Sequence, residues 1–401
     1  MKYPGHERRA GRPLRVSPAY TRLGELGAAF GEKSGWERAN WFEPNAELGD
    51  ESLRPRGWAG KLWSPAIGAE HLACRRSAAI FDESSFAKFE VSGEGAAELL
   101  ERLCGNRVAR GIGQVTYTQM LNPRGGIECD FTVTHLAEDR FRIVTGTAFG
   151  RHDLAWIAQH APDDGSVQLA DLTSQLACYG IWGPKVGEIL QPLTADLSNG
   201  AVPYIRAQEL ALGRVPCLAL RVTYVGELGW ELYCSADFGL ALWDKLWEAG
   251  REHGPVAGGY KAIDSLRLEK GYRVWGADIT PEQIPFEAGL GFAVKLDKGN
   301  FIGRSYLAET EGYSYLLRCL TLSDPHAIAL GTEPVRVDGY LAGRVTSGGY
   351  GYTVGKSIAY AYLPEELERG TRVEVDIFGE RVPGEIAAEP LYDPKGERIR
   401  S

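Results

Sequence analysis

From about residue 311 to the end, the sequence breaks into short strands separated by glycine-rich turns. This pattern constrains the fold more than any other feature of the chain. EPVRVDGYLAGRVTSGGYGYTVGKSIAYAYL and then TRVEVDIFGERVPGEIA repeat runs of β-branched and aromatic residues punctuated by Gly. No helical period interrupts them, so an all-β unit, a small barrel, is expected over 311–401. Its expected role is packing, to complete a cleft built by the rest of the chain.

The preceding region, 65–310, alternates helices and strands. EHLACRRSAAIFD reads as helical, and SFAKFEVSG reads as a strand with period-2 alternation. EGAAELLERLCG is an amphipathic helix closed by Gly105. VTYTQMLN, a turn at Pro123 to Gly126, IECDFTVTHL and FRIVTG form a run of strands. Further helices are expected near 150–160, 183–192 and 237–252. Hairpins mixed with helices point to two α+β domains on antiparallel sheet rather than to a doubly wound parallel sheet. Residues 1–64 carry four of the ten tryptophans, and GEKSGWERANWFEP has too much Gly, Asn and Pro for a long helix. An extended N-terminal arm anchored by tryptophans is the expectation. A lid over a pocket is the alternative.

Composition excludes several classes. The net charge of −9 argues against a nucleic-acid partner, because phosphate binding needs clustered Lys and Arg. No apolar run approaches a membrane span. The opening MKYPGHERRAGRPLRV lacks the apolar stretch of a secretory signal. It reads as a short tail ordered against the body, and the protein reads as cytoplasmic. The seven cysteines are odd in number, widely spaced and without CxxC, as expected of buried thiols in a reducing compartment. GxGxxG after a strand, GxxxxGK[ST], HExxH and GxSxG are all missing, and the histidines do not cluster at metal-ligand spacing. No metal is expected. Chemistry must rest on carboxylates, tyrosines and a bound organic molecule.

Three stretches carry candidate residues. In YVGELGWELY, apolar flanks around Gly226 to Gly229 predict a hairpin with a four-residue loop. Tyr224 then faces Glu231 across the ladder, Val225 faces Trp230, and Glu227 lies at the loop tip in water. Glu231 is either part of a site with that tyrosine or a cross-strand partner for an exposed Arg. In GGIECDFTV, Ile127, Cys129, Phe131 and Val133 share one face, with Glu128, Asp130, Thr132 and Thr134 on the other. Asp130 therefore either faces water or marks a site. In KAIDSLRLEKGYRVWGADIT, a short helix ends at Gly271, Arg267 and Glu269 suit an internal ion pair, and Tyr272 and Trp275 lead into a loop.

Taken together, these blocks resemble the folate-binding aminomethyltransferase superfamily, whose founding member is the T-protein of the glycine cleavage system. GEKSGWERANWF, SSFAKFEVSG, YTQMLNPRGGIECDFTV, YVGELGWELY, DSLRLEKGYRVWG and PFEAGLGFAVKLDKGNFIGR are most like the tetrahydrofolate-binding C-terminal halves of dimethylglycine and sarcosine dehydrogenases. The resemblance runs from about residue 17 to the C-terminus. It implies a three-domain cloverleaf around a central folate channel, with antiparallel sheets and a C-terminal β-barrel. It also implies tetrahydrofolate as cofactor, accepting a one-carbon unit on N5. Glu231 matches the family's pterin-binding glutamate, Tyr117 and Tyr224 its tyrosines, and Asp130 its key aspartate near N10. With Trp275 these form the candidate set, Asp130 catalytic and the others cofactor-binding. A carboxylate at Glu231 suits the paired donors of a pterin, N3–H and the 2-amino group.

Two departures stand out. Ile263 precedes Asp264 where the T-protein has Arg, and EKGYRVWG lacks the cysteine of the non-enzymatic members. The oxidative relatives are fused to an FAD domain, for which this sequence carries no fingerprint. The expected function is a tetrahydrofolate-dependent one-carbon transferase, such as a demethylase, acting on an N-methyl or O-methyl small molecule. The alternatives are the non-oxidative subunit of a split dimethylglycine or sarcosine oxidase, working with a separate flavoprotein, and a non-enzymatic folate-binding protein.

Overall fold

Three sheet-based units make up the computed structural model, which describes residues 7, 10–194, 197 and 201–400, and the first two face one cavity. Half of the expected N-terminal tail (residues 1–6, 8 and 9) lies outside the described residues.

The first unit is a six-stranded sheet in the order 207–212, 215–220, 229–235, 176–182, 79–82, 256–258. Every pairing in it is antiparallel except the last, Val256–Gly258 on Ala79–Phe81. Helix Ala236–Gly250 covers one face through Leu242, Trp243 and Leu246. The helices Pro65–Arg76 and Tyr260–Lys270 pack Cys74, Ile263 and Leu266 against Phe81 and Trp182. Removing side chains of this size from water is the main stabilising term.

The second unit is a five-stranded antiparallel sheet in the order 115–121, 127–137, 140–145, 87–92, 168–171. Helix Ala96–Leu103 buries Leu99, Leu100 and Leu103 on one face of it, together with Cys129, Phe131 and Val133. The chain leaves the first sheet after Asp82, builds the second, and returns at Leu176. Residues 83–86 therefore cross between the two sheets beside the cavity.

The third unit is the expected barrel, closed by six strands in the order 315–322, 356–364, 340–351, 334–337, 372–377, 380–386. Within residues 1–64, Ala28–Lys33 pairs with Trp36–Phe42 as a hairpin around Ser34 and Gly35, both at positive φ.

One local reading is corrected. EHLACRRSAAIFD is not one helix: the helix ends at Arg76, and Ala79–Asp82 is a strand. Ser77 breaks the helical backbone (φ −138°, ψ −97°), and the apolar Ala-Ile-Phe run pairs with Gly180–Trp182 instead. All seven cysteines are buried and free. Among the described residues no helix is long and apolar enough to cross a membrane.

Candidate functional site

The strand Ile127–Ala137 presents its apolar face to the second core and its polar face to a cavity of about 860 Å³ between the units. Asp130 sits on that polar face and lines the cavity. Gln119 stands directly across the ladder from it, and Tyr117 is two residues along the same strand. Asp130 Oδ1 is buried without a hydrogen-bond partner. Burial pushes the Asp130 carboxyl up to about 7, with the nearby polar groups of Tyr117 and Gln119 opposing and the charge of Asp153 adding to the rise. It therefore exchanges a proton in the neutral range and has an oxygen free for a donor.

Glu231 lies on the strand Gly229–Ser235 and lines the same cavity. It pairs in the ladder with Leu220 on one side and Gly180 on the other. The predicted register is therefore wrong: Tyr224 does not face Glu231, and Val225 does not face Trp230. The connection is not Gly226–Gly229 but residues 221–228. Thr223 explains the difference. Its hydroxyl accepts from the N–H groups of Val225 (3.2 Å), Gly226 (3.0 Å) and Glu227 (3.4 Å), so the chain turns out of the ladder early. Glu227 is not in water either. It is 1% exposed, with one oxygen taking Arg75 Nη1 at 3.2 Å and the Tyr392 hydroxyl at 2.6 Å.

Freed from the ladder, Tyr224 still reaches the cavity. Its hydroxyl donates to the Arg273 carbonyl at 2.6 Å, and its ring stacks on Tyr272 with centroids 5.8 Å apart. Tyr117 stacks on Phe292 at 6.0 Å. Trp275 donates from Nε1 to the Ile127 carbonyl at 3.0 Å and sets its ring edge-on to Phe149. Asp130, Tyr117, Tyr224, Glu231 and Trp275 thus line one cavity, although their positions span 117 to 275. Nearby, Arg267 and Glu269 do not pair with each other. Arg267 binds Asp278 at 2.8 Å, while Glu269 binds Arg75 at 3.1 Å and accepts the Thr353 N–H at 2.7 Å. Two residues apart on a helix, they point to different neighbours.

Behind Glu231 lies a second acid that the sequence reading passed over. Glu83 is fully buried, and neither of its oxygens has a partner. Tyr233 donates to Glu231 Oε2 at 2.5 Å, so Glu231 has a hydrogen bond favouring its charged form and Glu83 has none. Burial and the charge of Glu231 raise Glu83 well above the usual carboxylate range. Burial raises Glu231 too, but the Tyr233 hydrogen bond and the charge of Lys88 oppose the rise, so of the two Glu231 is the better acceptor. The signal in the sequence was an acid directly after the strand AIFD. Gln119 was missed because only cross-ladder pairing brings it to Asp130.

One group among the described residues has metal-compatible spacing: ligating atoms of Cys129, His152 and Asp153 lie within 4.8 Å of one another. Asp153 already accepts from Thr145 Oγ1 at 2.6 Å and contacts His152 Nδ1 at 3.0 Å, so hydrogen bonds satisfy it without an ion.

Residues 19–298 match the GCVT N-terminal domain family, and residues 316–393 match the glycine cleavage T-protein C-terminal barrel domain. Mitochondrial dimethylglycine dehydrogenase of Homo sapiens is 37% identical over 407 residues, covering 99% of this chain and 46% of that protein. The chain thus spans about half the length of that relative. Aminomethyltransferase of Symbiobacterium thermophilum is 35% identical, covering 89% of this chain and 97% of that protein. The crystal structure of glycine cleavage system aminomethyltransferase T from Bartonella henselae superposes with a TM-score of 0.82 at 26% identity, over 95% of this chain and 98% of that one.

Proposed function

The chain belongs to the glycine cleavage T-protein family, and from that premise we propose that it is a tetrahydrofolate-dependent one-carbon transferase acting on an N-methyl small molecule. Proteins of this family bind tetrahydrofolate. The observation that carries the proposal is the pair of half-buried carboxyls, Asp130 and Glu231, lining one cavity of about 860 Å³. That volume falls within the range of cofactor pockets. The residues present fit the cofactor: Glu231 is a half-buried acceptor, aromatic side chains line the walls, and Asp130 has an orphaned oxygen.

When bound, tetrahydrofolate supplies a nucleophilic N5 that takes up the one-carbon unit. Glu231 accepts the two adjacent donors of the pterin edge, its second oxygen already held by Tyr233. Tyr117, Tyr224 and Trp275 give flat walls and exclude water. Asp130 holds the cationic amine of the substrate by charge and hydrogen bond, fixing its direction of approach. A carboxylate in this place favours an N-methyl amine over a methoxy compound, because only the amine brings a positive charge. Incubation with tetrahydrofolate and dimethylglycine, sarcosine or a methoxy analogue, with mass detection of methyl-tetrahydrofolate and the demethylated product, tests the proposal. No product from any class opposes it.

A second reading concerns a partner. The chain matches about half of a relative named as a dehydrogenase. Methyl transfer is redox-neutral, but delivery at the methylene level requires prior two-electron oxidation of the amine. A separate flavoprotein would supply that step. Methylene-tetrahydrofolate formed only when an amine oxidase is added favours this reading, and turnover by the chain alone opposes it.

A further inference from the structure

The hairpin of residues 28–42 places the cation Arg38 on the cavity wall with no ion-pair partner among the described residues. Arg38 pairs in the ladder with Gly31 and lines the cavity. Its guanidinium carbon lies 3.0 Å from the centroid of the Tyr260 ring. Among the described residues the Tyr260 ring is its partner, and no hydrogen bond or ion pair reaches it. The neighbouring Glu37 is taken by Arg12, at 2.6 Å. Glu83 senses the charge of Arg38 but makes no hydrogen bond. Lys33 and Lys261 line the same part of the cavity, and Lys33 is lowered by burial and by repulsion from Arg38 and Lys261.

A half-buried guanidinium with no acceptor is costly, because partial desolvation goes uncompensated. Stacking on Tyr260 covers one face and fixes the plane, leaving the N–H edge to be satisfied. A planar carboxylate matches that edge with two parallel hydrogen bonds. A phosphate dianion matches less well, because Asp264 and Glu32 line the same region and repel a second negative charge.

We propose that Arg38, flanked by Lys33 and Lys261, forms a carboxylate-binding subsite of the cavity. Two ligands carry that group: an N-methyl amino acid and the glutamate tail of folate. The second source rests on the folate reading above, whereas the first does not. In either case the site selects methylated amino acids, or tailed folates, over neutral analogues.

Calorimetry with the full chain, Arg38→Gln and Arg38→Lys tests this with two ligand pairs: dimethylglycine against its methyl ester, and tetrahydrofolate against 6-methyltetrahydropterin. Thermal unfolding of each variant checks that it is folded. In Arg38→Gln, the carboxylate-bearing member of one pair is expected to lose roughly tenfold or more in affinity while its neutral counterpart stays within about twofold. Arg38→Lys is expected to fall between, since it keeps the charge and loses the fork. Loss confined to dimethylglycine assigns the substrate, and loss confined to tetrahydrofolate assigns the tail. Equal change within both pairs, no change in either, or a wild type that binds neither carboxylate ligand overturns the subsite. A wild type that binds neither folate compound, yet loses dimethylglycine on Arg38→Gln, keeps the subsite and removes the folate reading.

Discussion

Arg75 and Glu227 form a buried ion pair, Nη1 to Oε1 at 3.2 Å, with both side chains at most 3% exposed. The same guanidinium donates to the Val225 carbonyl at 2.6 Å and binds Glu269 at 3.1 Å. One side chain on the helix 65–76 thus ties the loop carrying Tyr224 to the helix 260–270. Removing Glu227 leaves Arg75 paired with Glu269 but takes away one carboxylate and the acceptor of the Tyr392 hydroxyl, so Glu227→Ala is expected to lose about 1.5–3 kcal/mol of stability. Urea unfolding of the variant measures it. A loss below about 1 kcal/mol would mean that the pair does not hold the loop.

Glu231→Gln is expected to weaken tetrahydrofolate binding by about 1.5–3 kcal/mol, the scale of a charged hydrogen bond. Tyr233→Phe should weaken it less, because that hydroxyl acts only through Glu231. Calorimetric titration reads both, and an unchanged affinity in Glu231→Gln removes the pterin assignment.

Asp130 titrates near the working pH, at about 7, because burial raises it. The ionised form holds a cation, so one-carbon transfer should rise with pH through 7. Asp130→Asn should abolish that dependence and slow the reaction on the order of a hundredfold. The sign for stability is opposite. A carboxyl raised from about 3.9 in the unfolded chain favours folding below that value and loses its contribution as pH rises through 7. Asp130→Asn should therefore raise the melting temperature at pH 8 and change it little at pH 4. A variant retaining the wild-type pH profile of transfer would show that another group titrates there.

Glu269 behaves in the reverse sense. Burial opposes its charge, but hydrogen bonding and charge from His71, the charge of Arg75 and the Val354 N–H hold it down at about 2. A depressed carboxylate stabilises the fold above its unfolded pKa of about 4.3, and the stabilisation is lost as pH falls toward 2. The melting temperature should drop between pH 4.5 and 2.5, and Glu269→Gln should flatten that drop while lowering stability at pH 7. Parallel pH curves for the two proteins would exclude Glu269 as the acid-sensitive group.

The period-2 pattern of IECDFTVTHL was legible because alternation is a local property of a strand, and it put Asp130 opposite Cys129, Phe131 and Val133. The closed barrel was legible for the same reason, since glycine-rich turns and β-branched runs act over a few residues. The helix end at Gly271, at φ +73°, follows from local chemistry as well. The hairpin at YVGELGWELY was not legible, although its flanks alternate correctly. Its register depends on Thr223 turning the chain and on Arg75, about 150 residues earlier in sequence, drawing Glu227 inward.

By itself, then, the sequence determined which residues share a strand face, where the helix before Gly271 stops and which segment closes as a barrel. These follow from backbone geometry and side-chain period over short spans. Whether the polar face of the Asp130 strand met water or a cavity was decided only when the other sheet, the 28–42 hairpin and residues 260–292 packed around it. The same holds for Glu83 behind Glu231, for Glu227 beneath its loop and for Arg38 over Tyr260. Each of these depends on the burial of a charge by distant parts of the chain, and burial is a property of the assembled molecule rather than of any local stretch.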